Sequence, residues 1–237
     1  MLIRNDGTLT GFGRNPPVTD VPAGYCRAAT VASVHAVAIA VDGTLSAWGS
    51  DSYSLPNGVV TGLLNAPRGR FKQVSARVLY SLALHEDGTL YGWGPAPAGT
   101  SLFAGWTQTL EDADILYIPD ARFEAIAAGN VHALAIRYDG TVTGWGDDSG
   151  GALRAPTHVR FKAIAAGFGF SVGLSIDGTI WGWGTPAKSP FAPEGWTFAS
   201  LTDWTRYADS EHYYVPHKRF KSIGAAAFHI IAVNAGS

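Results

Sequence analysis

The chain has 237 residues, of which 46% are hydrophobic and only 15% are charged, and its formal net charge is −2. This composition supplies a large apolar core and excludes a disordered chain. Because no run of Lys or Arg is present to neutralise phosphates, a nucleic-acid partner is not expected. A single cysteine, Cys26, excludes an internal disulfide framework. No apolar stretch approaches the roughly 20 residues of a spanning helix, so no membrane partner is expected.

The N-terminal segment enters a sequence repeat at once. Residues 1–14 already contain the tripeptide Asp-Gly-Thr, starting at Asp6. This leaves no room for a secretory signal, so we expect a cytoplasmic chain.

Asp-Gly-Thr recurs along the chain, and an aromatic-glycine pair follows each copy. In every copy the aromatic residue stands six places after the Asp. A repeat this regular predicts an architecture of stacked similar units. The five copies are Asp6 with Phe12-Gly13, Asp42 with Trp48-Gly49, Asp87 with Trp93-Gly94, Asp139 with Trp145-Gly146 and Asp177 with Trp183-Gly184.

Each full unit opens 16 residues before its Asp, at Cys26, Phe71, Phe123 or Phe161. Phe220 opens a last unit that lacks the Asp. The segments between turns are short and rich in β-branched and aromatic residues, which favours strands. Within residues 133–136, Ala alternates with Leu and Ile, so both faces of that strand are apolar and both must be covered. Asp-Gly between two such strands predicts a hairpin turn.

Small sheets that cover one another face to face form a β-propeller. We therefore predict an all-β protein and a five-bladed β-propeller, with a β-solenoid as the structural alternative. One blade is completed by N- and C-terminal segments, which would pair edges that are otherwise exposed. We expect a monomer, with a dimer that swaps this half-blade as the alternative. The single domain spans 1–237, with blades near 22–60, 68–115, 120–156 and 158–215, and a last blade from 218–237 joined with 1–14.

The repeat resembles the regulator-of-chromosome-condensation propeller family, which includes the bacterial β-lactamase-inhibitory propeller protein. The resemblance rests on Ile126-Ala-Ala-Gly129, His132-Ala-Leu-Ala135, Asp139-Gly-Thr141 and Gly144-Trp145-Gly146-Asp147-Asp148. It implies the propeller fold, although the relatives usually have seven blades. In the inhibitory relatives, aromatic residues just before the repeat histidine position help to form the partner surface. Here Phe228 matches that position, and Phe168 lies near it.

One repeat position carries histidine in three units, at His35, His132 and His229, and an aromatic residue in the others. We expect these imidazoles to hydrogen-bond neighbouring backbone, and we predict no metal site. Three histidines at one height of a ring could bind a metal ion, which is the weaker alternative.

Two long connections, 95–122 and 185–219, interrupt the repeat. Long connections in a compact repeat protein usually carry function. Gly105-Trp106-Thr107 recurs as Gly195-Trp196-Thr197, so each connection is predicted to be an outer strand plus loop, duplicated with its blade. Aromatic residues dominate recognition surfaces, and covering the blade edge is their alternative role. The predicted partner-binding residues are Phe103, Trp106, Trp196, Phe198, Trp204, Tyr207, Tyr213 and Tyr214 from these connections, with Phe168 and Phe228.

The chain carries no nucleophile elbow, phosphate-binding loop, zinc-protease motif or Cys-x-x-Cys pair. We therefore expect no enzyme activity, no catalytic residue and no cofactor. The predicted function is a non-enzymatic protein-binding module that uses aromatic insertion loops on one face. A lectin-like propeller that binds a small sugar is the alternative.

Overall fold

The computed structural model describes residues 1–11, 16–55, 58–95, 102–108, 115–118, 120–185, 204–209, 211–226 and 229–235. The chain divides into two compact units. The first unit comprises residues 1–98 and 105–123, and the second comprises residues 99–104 and 124–237. The predicted single domain and its blade boundaries stay predictions.

The first unit is built from short strands and one helical turn. In chain order these are β1 (Leu2–Ile3), β2 (Leu9–Thr10), α1 (Pro16–Thr19), β3 (Cys26–Val31), β4 (His35–Ala40), β5 (Leu45–Gly49), β6 (Tyr53–Leu55), β7 (Gly58–Val60), β8 (Phe71–Arg77), β9 (Tyr80–His85), β10 (Leu90–Trp93), β11 (Thr107–Gln108) and β12 (Ile115–Tyr117).

The second unit continues the same pattern from the unit boundary onwards. Its strands are β13 (Phe123–Ala128), β14 (His132–Arg137), β15 (Val142–Gly146), β16 (Phe161–Ala166), β17 (Phe170–Ser175), β18 (Ile180–Gly184), β19 (Thr205–Arg206), β20 (His212–Tyr214), β21 (Phe220–Ala225) and β22 (Ile230–Asn234). No helix among the described residues is both long and apolar enough to cross a membrane.

Four of the sheets correspond to the four complete copies of the repeat. Sheet 1 has the order β3-β4-β5 and sheet 3 the order β13-β14-β15. Sheet 2 has the order β8-β9-β10-β12-β11, and sheet 4 has the order β16-β17-β18-β20-β19. Consecutive strands of a sheet pair antiparallel, as β4 does with β5 and β17 with β18. Separate antiparallel sheets are the all-β architecture predicted for a propeller and exclude the coils of a β-solenoid.

Asp-Gly-Thr forms the hairpin turn between the second and third strands of each sheet, as predicted. In sheet 3, Asp139 Oδ1 accepts hydrogen bonds from the Thr141 amide at 2.9 Å and from the Thr141 hydroxyl at 2.6 Å. These bonds lower the pKa of Asp139 because they stabilise the ionised carboxylate. Gly140 between them has φ +80°, a conformation that only glycine adopts without strain.

Within each unit, the same turn also joins one sheet to the next along the chain. The Phe71 amide donates to the Gly43 carbonyl at 2.8 Å, and the Phe161 amide donates to the Gly140 carbonyl at 2.8 Å. An arginine precedes each of these phenylalanines, and a Cβ placed on Gly140 would lie 3.1 Å from the Arg160 Cβ. The first strand of the next sheet therefore starts in direct contact with the glycine of this turn.

The second strand of each sheet is buried along most of its length, as its alternating small and large apolar residues predict. In the first unit, Val37 and Ile39 of β4 pack against Phe71, Ala83 and Trp93 of sheet 2. In the second unit, the corresponding large residues of β14 pack against the opening phenylalanine and the Trp of sheet 4. The large aliphatic side chains of these second strands thus face the sheet that follows in the chain. Small or aromatic side chains of that next sheet face back toward them.

The chain ends form two hairpins. The N-terminal hairpin is β1-β2 and the C-terminal hairpin is β21-β22, and each is a two-stranded sheet in the structure. Completion of a fifth blade from both ends stays a prediction.

Candidate functional site

The two long connections each build a hairpin that extends its sheet outwards. The first insertion hairpin, β11-β12, pairs with β10, so that Tyr117 faces Tyr91. The second insertion hairpin, β19-β20, pairs with β18, so that Tyr214 faces Trp181. Both connections therefore contain the outer strands that the sequence predicts.

The register of the two hairpins corrects the sequence alignment between them. Thr107 pairs with Tyr117, and Thr205 pairs with Tyr214. The structural counterpart of Trp106 is consequently Trp204, which precedes Thr205, rather than Trp196. The match of Gly105-Trp106-Thr107 to residues 195–197 is wrong because a Trp-Thr pair occurs twice in the second connection, and only pairing to the sheet distinguishes them.

Tyr207 and Tyr214 of the second insertion hairpin belong to a cluster of aromatic rings. Trp181 stacks on Tyr214 with ring centroids 5.2 Å apart and contacts Tyr207 edge-on at 5.1 Å. Tyr207 also stacks on His158 at 4.7 Å. Because both tyrosines are only half-exposed and pack on the core, they cover the edge of sheet 4 and hold the hairpin in place. The first insertion hairpin has a smaller version, in which Tyr91 stacks on Tyr117 at 5.8 Å.

Tyr213 points to the other side of β20 and is paired with an exposed arginine. The Arg206 Nε donates to the Tyr213 hydroxyl at 3.1 Å, and the guanidinium carbon lies 5.5 Å from the centre of the ring. Arginine and tyrosine are the residue types most enriched in the energetic centres of protein interfaces. The equivalent positions of the first hairpin, by register, hold Gln108 and Leu116, which lack this chemistry.

His212 ties the second insertion hairpin to the loop that follows sheet 3. It is buried, and its Nε2 lies 2.7 Å from the Arg154 carbonyl oxygen while its Nδ1 faces Asp209 Oδ2. Burial raises the pKa of Asp209, but hydrogen bonds from His212 and from the Glu211 amide outweigh it and keep the pKa below its usual value. The side chain of Arg154 forms an ion pair with Asp148 at 3.0 Å. These contacts fix the hairpin to a rigid support.

A cleft of about 310 Å³ opens where this loop meets the hairpin. Trp183 pairs with His212, and Gly184 pairs with Phe170. These pairings place the cleft at the end of sheet 4 that also carries Phe168, whose side chain is half-buried. An arginine, a glutamate, two aromatic residues and three glycines are part of its wall. The lining residues are Ser149, Gly150, Gly151, Arg154, Trp183, Gly184, Thr185, Glu211 and Tyr213.

The remaining predicted partner-binding residues are placed as follows. Phe103 in the second unit, Trp106 in the first and Trp204 in the second are half-buried. Trp204 packs beside Tyr213 against the core of sheet 4. Trp196, Phe198 and Phe228 lie outside the described residues. The site residues that the sequence prediction did not include are Arg154, Asp148 and His212, and the contact between His212 and Arg154 joins residues 58 positions apart.

The repeat histidines contact serine side chains of the following sheet. His35 Nε2 lies 2.8 Å from Ser81 Oγ, and His132 Nε2 lies 2.9 Å from Ser171 Oγ. Burial lowers the pKa of His35 to about 4, so this ring is neutral at physiological pH. No described group of three His, Cys, Asp or Glu residues could hold a metal ion. The metal alternative, which also involves the exposed His229, stays a prediction.

The repeat tryptophans that the structure shows in detail are used for packing. The indole nitrogens of Trp48, Trp93 and Trp183 donate to the carbonyls of Val18 at 3.0 Å, Leu63 at 3.1 Å and Ala152 at 2.8 Å. All three rings are buried. Packing against the protein is therefore the main role of these rings, and of the three only Trp183 also lines the cleft.

Comparison with known proteins identifies the repeat. A family model of the regulator of chromosome condensation (RCC1) repeat matches residues 123–152 and 161–187. Human WBSCR16 is similar in structure at 14% identity, with 92% of this chain and 59% of that chain covered and a TM-score of 0.64. Prp20p from Saccharomyces cerevisiae, whose structure is described with its binding to Gsp1p and histones, has 20% identity, 85% and 54% coverage and a TM-score of 0.61.

The ectodomain of the receptor kinase CR4 from Physcomitrella patens is also similar, with 16% identity, 94% and 52% coverage and a TM-score of 0.59. No curated protein sequence matches the chain. The chain spans less than two thirds of the length of these three structures. At such low identity the likeness shows the fold, which is the predicted β-propeller type.

Proposed function

We propose that this chain, in which residues 123–152 and 161–187 match a family model of the regulator-of-chromosome-condensation repeat, is a non-enzymatic protein-binding propeller module. Propeller repeats of this type supply a rigid scaffold, and function on such a scaffold lies in the segments added to it. Prp20p, which shares the fold, is described with protein partners. A protein partner for this chain is the simplest extension of that likeness.

The observation that carries the proposal is the second insertion hairpin. It presents Arg206 of β19 and Tyr213 of β20 as a hydrogen-bonded pair across the hairpin, and β20 pairs with β18 of the sheet. Arg206 is exposed and Tyr213 half-exposed, beside the cleft that contains Arg154 and Glu211. A rigid aromatic and arginine pair next to a concave surface is the arrangement that anchors protein interfaces. The partner surface is therefore proposed at the Phe168 end of sheet 4.

The test uses the two insertion hairpins as matched surfaces. The double variant Arg206→Ala with Tyr213→Ala is expected to lose a partner that the wild-type chain captures from an extract of its source cells. The double variant Gln108→Ala with Leu116→Ala changes the equivalent positions of the first hairpin and is expected to keep it. Quantified capture, with melting temperatures of both variants, separates loss of binding from loss of folding. Equal retention by both variants, or capture of no protein by the wild type, would count against the proposal.

The carbohydrate-binding alternative makes a different prediction for the same chain. It requires an accessible aromatic platform, and among the described tryptophans of the repeat three are buried. A glycan array that gives a specific signal, lost in Trp204→Ala, would favour it over the protein-binding proposal.

A further inference from the structure

At the end that carries the Asp-Gly-Thr turn, sheets 2 and 4 differ at one position beside an arginine. In sheet 2 the Glu86 amide donates to the Arg70 carbonyl at 2.9 Å, and in sheet 4 the Ile176 amide donates to the Arg160 carbonyl at 3.0 Å. Glu86 and Ile176 each stand directly before the Asp of the turn, so their places in the two sheets are equivalent. A carboxylate in sheet 2 is thus replaced by an apolar side chain in sheet 4.

The carboxylate of Glu86 binds two arginines of the first unit. Its Oε2 lies 3.4 Å from Arg70 Nε, and its Oε1 lies 3.6 Å from a terminal guanidinium nitrogen of Arg27. The arginines at this end of sheets 1 and 2 therefore already have an acidic partner within the chain.

The turn end of sheet 4 carries cations that lack such a partner. Arg160, Lys162 and Arg219 are exposed, and none of them lies within ion-pair distance of a carboxylate in the part of the chain that the structure describes. The two arginines donate to neighbouring backbone carbonyls, and Lys162 Nζ donates to the Ile176 carbonyl at 3.4 Å. A neutral carbonyl leaves each positive charge uncompensated.

Arg160, Lys162, Ile176 and Arg219 form one surface of the second unit, which we call the basic surface. Ile176 is 67% exposed, and its backbone hydrogen bonds place it between Arg160 and Lys162. Arg219 lies against the same turn, because a Cβ added at Gly178 would be 3.3 Å from the Arg219 Cδ. The basic surface therefore surrounds an exposed apolar side chain with cations.

The charge near the basic surface is predominantly positive, although the whole chain has a net charge of −2. The exposed carboxylates nearby are Glu124, Asp139 and Asp177, and the two aspartates already accept hydrogen bonds within their own turns. The exposed cations at this end of sheets 3 and 4 and of the C-terminal hairpin are Arg137, Arg160, Lys162, Lys218, Arg219 and Lys221.

We propose that the basic surface docks an acidic segment of a partner protein, in which glutamate or aspartate side chains flank an apolar one. Charge complementarity places the carboxylates on Arg160, Lys162 and Arg219, and the apolar side chain over Ile176. This surface is separate from the one proposed around Arg206 and Tyr213, and it does not depend on that proposal.

A nucleic acid fits the basic surface less well than an acidic protein segment does. A phosphate backbone is a continuous row of charge, and the carboxylates of Asp139 and Asp177 would repel it at each turn. Separate carboxylate side chains can reach individual cations and leave room for contact with Ile176.

The experiment measures binding of a fluorescent glutamate-rich peptide with a central leucine by anisotropy. The wild type is expected to bind it, more weakly as salt rises, and to bind the glutamine version of the peptide at least about fivefold more weakly. Ile176→Glu is expected to weaken binding by at least about fivefold, because the new carboxylate engages Arg160 as Glu86 engages Arg70.

Val41→Glu is the matched control, since it makes the same change of charge at the equivalent place of sheet 1. Val41 is 64% exposed, and its amide donates to the carbonyl of Tyr25, which stands where the other sheets have an arginine. Binding by Val41→Glu is expected to match that of the wild type. Arg206→Ala with Tyr213→Ala is likewise expected to keep the peptide, which separates this surface from the insertion hairpin.

The reciprocal change tests whether the carboxylate is what decides binding. Glu86→Ile releases Arg27 and Arg70, so adding it to Ile176→Glu is expected to restore peptide binding, now in the first unit. Melting temperatures confirm that the variants are folded. A wild type that does not bind the peptide, or that binds duplex DNA more tightly than the peptide, overturns the proposal. Undiminished binding by Ile176→Glu, or no recovery in the double variant, also overturns it.

Discussion

Gly94→Ala is expected to lower the free energy of unfolding by roughly 4 kcal/mol, of which about 1–2 kcal/mol is the left-handed backbone penalty and the remainder a steric clash. Gly94 follows the repeat Trp and has φ +85°. A Cβ at this position would lie 2.6 Å from the Leu79 carbonyl oxygen and 3.1 Å from the Tyr80 Cα. Both contacts are backbone, so the neighbour cannot move aside without distorting the start of β9.

Gly62→Ala provides the matched control in the same unit. Gly62 has φ +87°, but the nearest atom to an added Cβ is the Asn65 side chain at 3.6 Å. Only the backbone penalty of about 1–2 kcal/mol is therefore expected. Urea unfolding of both variants measures the difference. Equal losses in the two variants would show that the close approach behind the Trp-Gly position is not what makes the glycine necessary.

Acid is expected to destabilise the protein through His35, by about 3 kcal/mol between pH 6.5 and pH 4. Burial lowers the folded-state pKa of His35 to about 4, from 6.5 in the unfolded chain. Within this window the unfolded state binds the proton and the folded state does not, so protonation favours unfolding. The contribution of His35 is fully present above pH 6.5 and is lost as the pH falls to about 4.

The variant His35→Gln is expected to remove this step from the pH dependence while keeping a hydrogen-bonding group near Ser81. Urea unfolding at several pH values measures it, and NMR titration of the imidazole in the wild type reports the pKa directly. Asp87 supplies an internal reference. Partial burial raises its pKa, but hydrogen bonds from Thr89 and His85 lower it to about 2, so its contribution is lost only below pH 3.8 and must remain in the variant. An imidazole that titrates near 6.5 would refute the argument.

The insertions show where prediction from sequence reaches its limit. Composition and length were sufficient to predict that residues 95–122 and 185–219 carry outer strands, because long apolar connections must be packed on something. The choice of Trp204 over Trp196 as the counterpart of Trp106 was not available from the sequence, because Gly195-Trp196-Thr197 matches Gly105-Trp106-Thr107 while an aspartate precedes Trp204. Tyr207 and Tyr214 were predicted at the partner surface; the structure adds ring contacts of both with Trp181, and their role in partner binding stays a prediction.

The contacts around Arg154 could not be predicted from the local sequence either. Nothing in the local sequence links His212 to the Arg154 carbonyl, since these residues lie 58 positions apart. The pairing of β20 with β18 brings them together. Likewise, the serine that each buried histidine contacts lies in the next sheet, so the sequence predicted a backbone partner where the structure shows Ser81 and Ser171.

The sequence by itself determined the repeating unit of this protein. Turn chemistry at Asp-Gly-Thr, alternation of small and large apolar residues and glycine beside Trp are local requirements, and each can be read from a few neighbouring residues. The tertiary structure alone decided which aromatic rings pack and which remain accessible, because that depends on strand register and on contacts between distant segments.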